Sequence, residues 1–267
     1  MLEVKNLSIS LSRNSAHKLV DNVSFSLQQD QCLGILGESG SGKSLTCNAI
    51  NGLLGSEFLV SGEVTFQGKA LLGLADSERQ KMRGEAIAMV MQSPMTAFDP
   101  LFSIGSQAVE SILQHKAMSR QEATALFADM LERVNLNAGR ALLNKYPHEL
   151  SGGMLQRIMV ALALVLEPKL IIADEPTTAI DYISQQEVVK ELQAMREKFA
   201  TSLIFVSHDL SLVSHIADEV LVMHQGKVQE YGAAQTLFHA PQSPYTQYLI
   251  DTRKTLINRF RAIMEEN

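Results

Sequence analysis

The stretch "GESGSGKS", residues 37–44, sets Gly37, Gly42, Lys43 and Ser44 in the spacing G-x-x-x-x-G-K-[ST]. A loop of this kind at a helix N-terminus turns backbone N–H groups toward phosphate, and the helix dipole favours the negative charge. Glu38, Ser39 and Ser41 complete the loop, and Gly40 and Gly42 let the backbone approach closely. Lys43 neutralises phosphate charge, and Ser44 offers its hydroxyl to Mg²⁺. A second group lies in "LIIADE", 170–175, where Asp174 and Glu175 end an apolar run. Ligands bind at that edge of an open α/β sheet. Asp174 suits a Mg²⁺ shell, and Glu175 can orient or deprotonate a water. Taken alone, the pair is equally a solvated acidic turn. His208, in "IFVSHDL", is a structural histidine or a hydrogen-bond donor to a γ-phosphate. Gln92, in "AMVMQSP", is a polar loop residue unless Mg²⁺ and water lie close, where it would sense the γ-phosphate. Ser151, Gly152 and Gly153, in "LSGGMLQR", precede a long apolar run and form a second turn suited to an anion.

These groups need a scaffold. Short apolar runs alternate with helical stretches, the pattern of an α/β sheet. "CLGILG" (32–37) leads into a helix over "SLTCNAINGLL". "LIIAD" (170–174), "SLIFVS" (202–207) and "EVLVMH" (219–224) are nearly continuous apolar runs, as strands buried on both faces are. "HQGKVQEYG" predicts a turn at Gly226 and a last hairpin strand. From Ser93 to Glu149 no strand is predicted. There "SRQEATALFADMLERVNL" carries a capping box, Ser119 with Glu122. Ala123, Leu126, Phe127, Met130, Leu131 and Val134 follow on one helical face. From Pro244 the chain is helical again, with Leu249, Leu256, Ile257, Phe260, Ile263 and Met264 as a loose apolar stripe that packs on its own domain or meets a partner.

Of the 267 residues, 46% are hydrophobic and 19% charged, the balance of a folded globular chain. The net charge of −6 removes a general electrostatic case for nucleic-acid binding. Cys32 and Cys47, far apart in apolar segments, are expected to be buried thiols in a reducing compartment. "MLEVKNLSIS" has no basic start or apolar core of a signal peptide. "IMVALALVL" (158–166) is about half a membrane span. A cytoplasmic chain is expected, with any membrane role reached through a partner.

In order along the chain, the phosphate loop, Gln92, "LSGGMLQR", "LIIADE", "TTAID" (177–181) and "SHD" (207–209) resemble the ATP-binding cassette ATPases over nearly the whole length. The Ser-Gly-Gly turn separates that family from other phosphate-loop ATPases. The resemblance implies a RecA-like core with an N-terminal antiparallel β part and an inserted helical subdomain. On that division, residues 1–92 and 157–240 form the ATP-binding core. Residues 93–156 form the helical insertion carrying the signature turn, and 241–267 a C-terminal helical tail. It further implies two cassettes face to face, with ATP and Mg²⁺ held between one chain's phosphate loop and the other's Ser151, Gly152 and Gly153. Asp181 would lie at that interface, although it is equally a cap for the next helix. Ser44, Gln92 and Asp174 would surround Mg²⁺, Glu175 would activate water and His208 would hold the γ-phosphate.

"GESGSGKS", "MQSPMTAFDPL", "YPHELSGGMLQR", "ADEPTTAID" and "LFHAPQSPYTQYL" are similar to the peptide and nickel importer branch, and "SGGMLQR" in particular to nickel-import ATPases of the Nik type. The implied function is coupling ATP hydrolysis to uptake of nickel ion or a nickel chelate, with di- or oligopeptide as the alternative. The implied partners are a sister ATPase in a heterodimer, two membrane permease subunits and an extracytoplasmic solute-binding protein. The chain would sit peripherally on the cytoplasmic face of the membrane. Three departures stand out. "SISLSRNSAHKLVDNV" lacks the aromatic that usually stacks on adenine, leaving an aliphatic side chain or His17. No cysteine follows Cys47, so an iron–sulfur tail is excluded. Ile180 replaces the usual Leu. The remaining histidines are scattered without ligand spacing, and the methionines fit helical core faces. Metal selectivity would therefore belong to other subunits. A soluble cassette of DNA repair would carry a long coiled-coil insertion, and the span from Gln92 to Ser151 is short. A non-catalytic regulatory subunit is disfavoured by the presence of Lys43, Glu175 and the Ser-Gly-Gly turn.

Overall fold

A computed structural model describes residues 1–136, 139–178 and 181–265. In chain order its strands are β1 (Leu2–Leu11), β2 (Asn14–Leu27), β3 (Cys32–Leu36), β4 (Phe58–Phe66), β5 (Lys69–Ala70), β6 (Ile87–Val90), β7 (Leu170–Asp174), β8 (Ser202–Ser207), β9 (Glu219–His224) and β10 (Lys227–Ala233). Its helices are α1 (Lys43–Ile50), α2 (Asp76–Met82), α3 (Pro94–Ala97), α4 (Ile104–His115), α5 (Arg120–Arg133), α6 (Gly139–Leu142), α7 (Gly152–Leu164), α8 (Tyr182–Phe199), α9 (Leu210–Ile216), α10 (Ala234–His239) and α11 (Pro244–Glu265). Two compact units result. One comprises Met1–Leu72 with the chain from Phe205 onward, the other Gly73–Ile204, and the division falls within β8.

In the first unit β2, β1, β4 and β5 form an antiparallel sheet. β3 runs parallel to β9, which pairs antiparallel with β10 across the turn at Gly226. Every residue of β3 is buried, so an apolar run without alternation is what this strand requires. The run "SLTCNAINGLL" is helical only to Ile50. Asn51 follows as the C-cap, and Gly52 N donates to Ala49 O in the turn that ends the helix. Cys32 and Cys47 are buried free thiols. In α11 Thr246 and Ile250 are buried and Leu249 half-buried, so its N-terminal part packs on its own unit. The side chains of Leu256, Ile257, Phe260, Ile263 and Met264 lie outside those described, as does Ile180.

In the second unit β6 and β7 are parallel, Ile87 opposite Leu170 through Val90 opposite Ala173. Between Val90 and Leu170 the described residues contain helices and turns but no strand. The capping box of α5 forms as its spacing demands. Glu122 N donates to Ser119 Oγ at 3.2 Å, and Ser119 N to Glu122 Oε2 at 2.7 Å. Ala123, Phe127, Met130, Leu131 and Val134 are buried and Leu126 half-buried, which confirms the predicted face. α7 runs unbroken through residues 156 and 157 and buries Leu155, Ile158, Val160, Ala161 and Leu164. Among the described residues no helix is long and apolar enough to cross a membrane.

A polar tie joins α7 to α8. Arg157 Nη2 pairs with Glu187 Oε2, and Arg157 Nε lies 3.4 Å from Glu191 Oε1. Glu191 is only 6% exposed. Burial pushes its carboxyl up to about 7, against the opposing pull of Arg157 and of a hydrogen bond from Asn135. Because the folded pKa exceeds the unfolded one, the native state holds an extra proton between about pH 4.5 and pH 7. Its stability therefore falls as pH rises through that window. Glu191→Gln is expected to remove this part of the pH dependence and to stabilise the chain near pH 8, by on the order of 2–3 kcal/mol at most. Urea unfolding at about pH 5 and about pH 8 measures it; equal pH slopes in the two proteins would contradict the assignment.

Candidate nucleotide site

In the first unit the buried strand β3 delivers the chain to Gly37, and α1 begins six residues later at Lys43. A Cβ at Gly37 would lie 2.3 Å from the Met223 carbonyl oxygen, so only glycine fits against β9. Gly42 is the N-cap of α1 at φ +99°, a conformation that side chains resist. Thr46 N and Thr46 Oγ1 both donate to Gly42 O at 2.9 Å, which fixes the first turn. Lys43 is buried, its Nζ donating to Gly37 O and Glu38 O, each at 2.9 Å. The ammonium is thus held within the loop instead of being solvated. Ser41 Oγ is buried without a hydrogen-bond partner, an orphaned polar atom inside the turn. Glu38, Ser39 and Gly40 are exposed and Ser44 is half-buried in the first turn of α1, which carries no acidic side chain. The turn is shaped for an anion.

His208 is exposed directly after β8. Its neighbours are braced. Asp209 N donates to Ser207 Oγ at 3.0 Å, and Asp209 Oδ1 caps α9 by accepting from Ser211 N at 2.8 Å. His17 is exposed on β2.

In the second unit the parallel pairing of β6 and β7 brings their C-terminal ends to one edge, and Gln92, Asp174 and Glu175 meet there. Gln92 Nε2 donates to Glu175 Oε2 at 3.2 Å, and Thr178 Oγ1 donates to the same oxygen at 3.1 Å. Glu175 has φ +47°, a left-handed backbone costing about 1 kcal/mol or more for a residue with a side chain. Thr178 N closes that turn on Glu175 O at 3.1 Å. Asp174 is buried at the end of β7. Within this unit the Asp174 carboxylate and the Gln92 carbonyl, whose amide nitrogen is engaged with Glu175, are hard oxygens of the kind Mg²⁺ prefers, and the Ser44 hydroxyl of the first unit is a donor of the same chemistry.

Two helix N-termini adjoin in the same unit. Ser151 caps α7, its Oγ accepting from Met154 N at 3.2 Å, so the signature turn does open a helix. Asp181 caps α8: Oδ1 accepts from Ser184 N at 3.0 Å and Oδ2 from Ser184 Oγ at 2.7 Å. The position a Cβ would take on Gly153 is 3.4 Å from Ser184 Oγ, so that serine links the two turns. Thr178 and Ser184 were not singled out from sequence. Their only signal is a hydroxyl three residues after Glu175 and another three after Asp181.

Residues 20–178 match the ABC transporter family, and the chain belongs to it. Within the family it is 44% identical over 264 residues to the metal-staphylopine import system ATP-binding protein CntD of Staphylococcus aureus, covering 99% of this chain and 97% of that one. It is 42% identical over 252 residues to the oligopeptide transport ATP-binding protein OppD of Escherichia coli, covering 94% of this chain and 75% of that one. Among solved structures it resembles the dimeric, post-hydrolysis ATP-binding cassette MJ0796 bound to ADP and Pi. The TM-score there is 0.77 and the identity 26%, over 88% of this chain and 99% of that one. The fold is that of the ABC ATPase cassette.

Because the nearest obstacle at Gly37 is the Met223 backbone carbonyl, with the Ser41 side chain next, Gly37→Ala is expected to deform the loop. Nucleotide binding should weaken by about tenfold or more, which is ~1.4 kcal/mol. Titration with a fluorescent ATP analogue checks this, and wild-type affinity would show that the loop is not the binding element.

Proposed function

We propose that this chain is the ATP-hydrolysing subunit of an importer for nickel, carried as the ion or a chelate. The observation that carries catalysis is the Gln92–Glu175–Thr178 cluster, in which two donors aim one carboxylate from a strained turn. The loop from Gly37 to Ser44 binds the phosphates, and Lys43 neutralises their charge. Ser44, Asp174 and the Gln92 carbonyl would hold Mg²⁺, which neutralises charge developing on the phosphate oxygens. Glu175 orients the attacking water and accepts its proton. His208 donates a hydrogen bond to the γ-phosphate. Positioning and electrostatics supply most of the acceleration. The cassette divides as the family pattern suggests, into a core (1–92, 157–240), a helical part (93–156) and a tail (241–267).

The dimeric state of the similar MJ0796 cassette supports face-to-face pairing, with Ser151, Gly152, Gly153 and Asp181 serving the partner's nucleotide. We take the partner to be a sister ATPase. Two permease subunits and an extracytoplasmic solute-binding protein complete the importer, and the chain attaches to the cytoplasmic face of the membrane through the permeases. Met91 before α3, Met95 within it and Leu101 and Phe102 after it are exposed, and a cavity of about 690 Å³ opens beside Phe102, Gln107 and Glu110. This apolar surface next to Gln92 is suited to a cytoplasmic helix of a permease. The metal-staphylopine relative favours a metal chelate as cargo, whereas the oligopeptide relatives favour a peptide.

Glu175→Gln is expected to bind ATP normally while hydrolysing it at least about a hundredfold more slowly, the scale of a lost general base. Wild-type turnover would remove Glu175 from that role. Ser151→Ala should leave this chain's own nucleotide affinity unchanged and slow hydrolysis in the partner's site, read with Glu175→Gln silencing this one. Uptake of radiolabelled nickel and of a labelled tripeptide, in cells with and without the chain, decides between the two cargoes.

A further inference from the structure

The first helical turn of α11 sits against the phosphate loop. The Tyr245 ring lies 4.1 Å from the ring of His224, at the end of β9, and His224 Nδ1 is 3.9 Å from Glu38 Oε2. Burial, then the charge of Glu38, raises the pKa of the Tyr245 phenol, as expected for a hydroxyl beside the loop. Glu38 is the residue whose carbonyl accepts from both Lys43 Nζ and Ser41 N. The start of α11 is itself anchored, because the Glu230 carboxylate accepts from Gln242 N at 2.9 Å and from Ser243 N at 3.1 Å. Eight residues along the helix, about 12 Å at its normal rise, Arg253 Nη2 donates to Asp209 Oδ2 at 3.0 Å. Asp209 follows His208 directly, and its other oxygen caps α9. One helix therefore touches both the beginning of the phosphate loop and the turn that carries His208.

We infer that α11 is a strut that sets the position of the His208 turn relative to the phosphate loop, with Tyr245 and Arg253 as positioning residues for ATP hydrolysis. The inference rests on the nucleotide assignment made above. Tyr245 acts on the loop through His224 and Glu38, so its removal acts on nucleotide affinity. Arg253 acts on His208 through Asp209, so its removal acts on turnover. The Arg253–Asp209 pair is partly solvent-exposed, with side-chain exposures of 37% and 19%. Such pairs add little to global stability, so its loss should be felt in geometry and not in folding.

The test uses the full chain in the complex with which it co-purifies, measuring ATP turnover, fluorescent ATP-analogue affinity and thermal unfolding. Arg253→Ala is expected to lower kcat about tenfold, as when a reacting group is slightly misplaced, with KM for ATP and the unfolding midpoint unchanged. Arg253→Lys should recover most of the loss by reaching the same carboxylate. Tyr245→Ala should instead weaken analogue binding, with kcat at saturating ATP changed less. Unchanged kinetics in Arg253→Ala and Tyr245→Ala overturn the inference, as does a joint fall of kcat, affinity and midpoint in Arg253→Ala that Lys does not rescue. Should Arg253→Ala fail to fold, Asp209→Asn retains the helix cap and weakens the pair; wild-type kcat in that variant overturns the strut. Lys43→Ala separates the two levels. If it binds the analogue like wild type, the nucleotide assignment is wrong. If it loses binding while the α11 variants behave as wild type, only the strut is wrong.

Discussion

A side chain at Gly37 would collide with the carbonyl oxygen of Met223, so β3 can pass β9 and turn toward α1 only with a bare backbone at that point. Much of the first unit's chemistry depends on this close approach. It lets a fully buried strand end in a tight turn, and it sets the register in which Lys43 reaches back to the Gly37 and Glu38 carbonyls. A lysine held by two carbonyls inside its own loop is already desolvated and aimed. Binding an anion then requires less reorganisation than recruiting a flexible surface ammonium would. The second unit solves the same problem differently. Parallel pairing of β6 and β7 brings Gln92 and Glu175 to one edge, and a strained turn at Glu175 is held by Thr178 from both its backbone and its side chain.

Strands buried on both faces were the elements most legible in the sequence. β3, β7, β8 and β9 coincide with continuous apolar runs, because a strand covered on both sides has no polar face to interrupt the run. The cap of α5 was equally plain, since Ser119 and Glu122 bond within one turn and need no distant partner. β4 carried no plain signal: "FLVSGEVTF" has only two buried residues and a glycine in its middle, and its place comes from pairing with β1 and β5. Helix α1 was overextended because Leu53 and Leu54 continue the apolar pattern beyond the turn at Gly52. In the candidate site, residues within local motifs were readable. Tyr245 and Arg253 were not, because their partners His224 and Asp209 are distant in sequence, and Thr178 and Ser184 were not, because a hydroxyl three residues beyond a carboxylate is too common a pattern to stand out.

The polar tie between α7 and α8 shows how local caps become a unit. Arg157 lies two turns into the helix that Ser151 caps, and it grips Glu187 and Glu191 on the helix that Asp181 caps. With Ser184 near Gly153 at the helix starts, α7 and α8 are joined at two levels. A displacement of one N-terminus must therefore carry the other with it, or break a partly buried charge pair, which is costly. Glu191, buried beyond the reach of water on most of its surface, makes that tie sensitive to protonation in a way that an exposed pair would not be.

Capping and anion binding do not compete at Ser151. A serine hydroxyl has two lone pairs and one proton. Accepting from Met154 N engages one lone pair and leaves the O–H free to rotate toward another acceptor beside the first amides of α7. The cap therefore does not use up the hydroxyl's capacity to donate. Asp181 has no such proton when ionised. Both of its oxygens accept from Ser184, and its charge stabilises the N-terminus of α8. The two caps consequently differ in kind: the serine cap keeps a donor in reserve, and the aspartate cap spends both oxygens on the helix it starts.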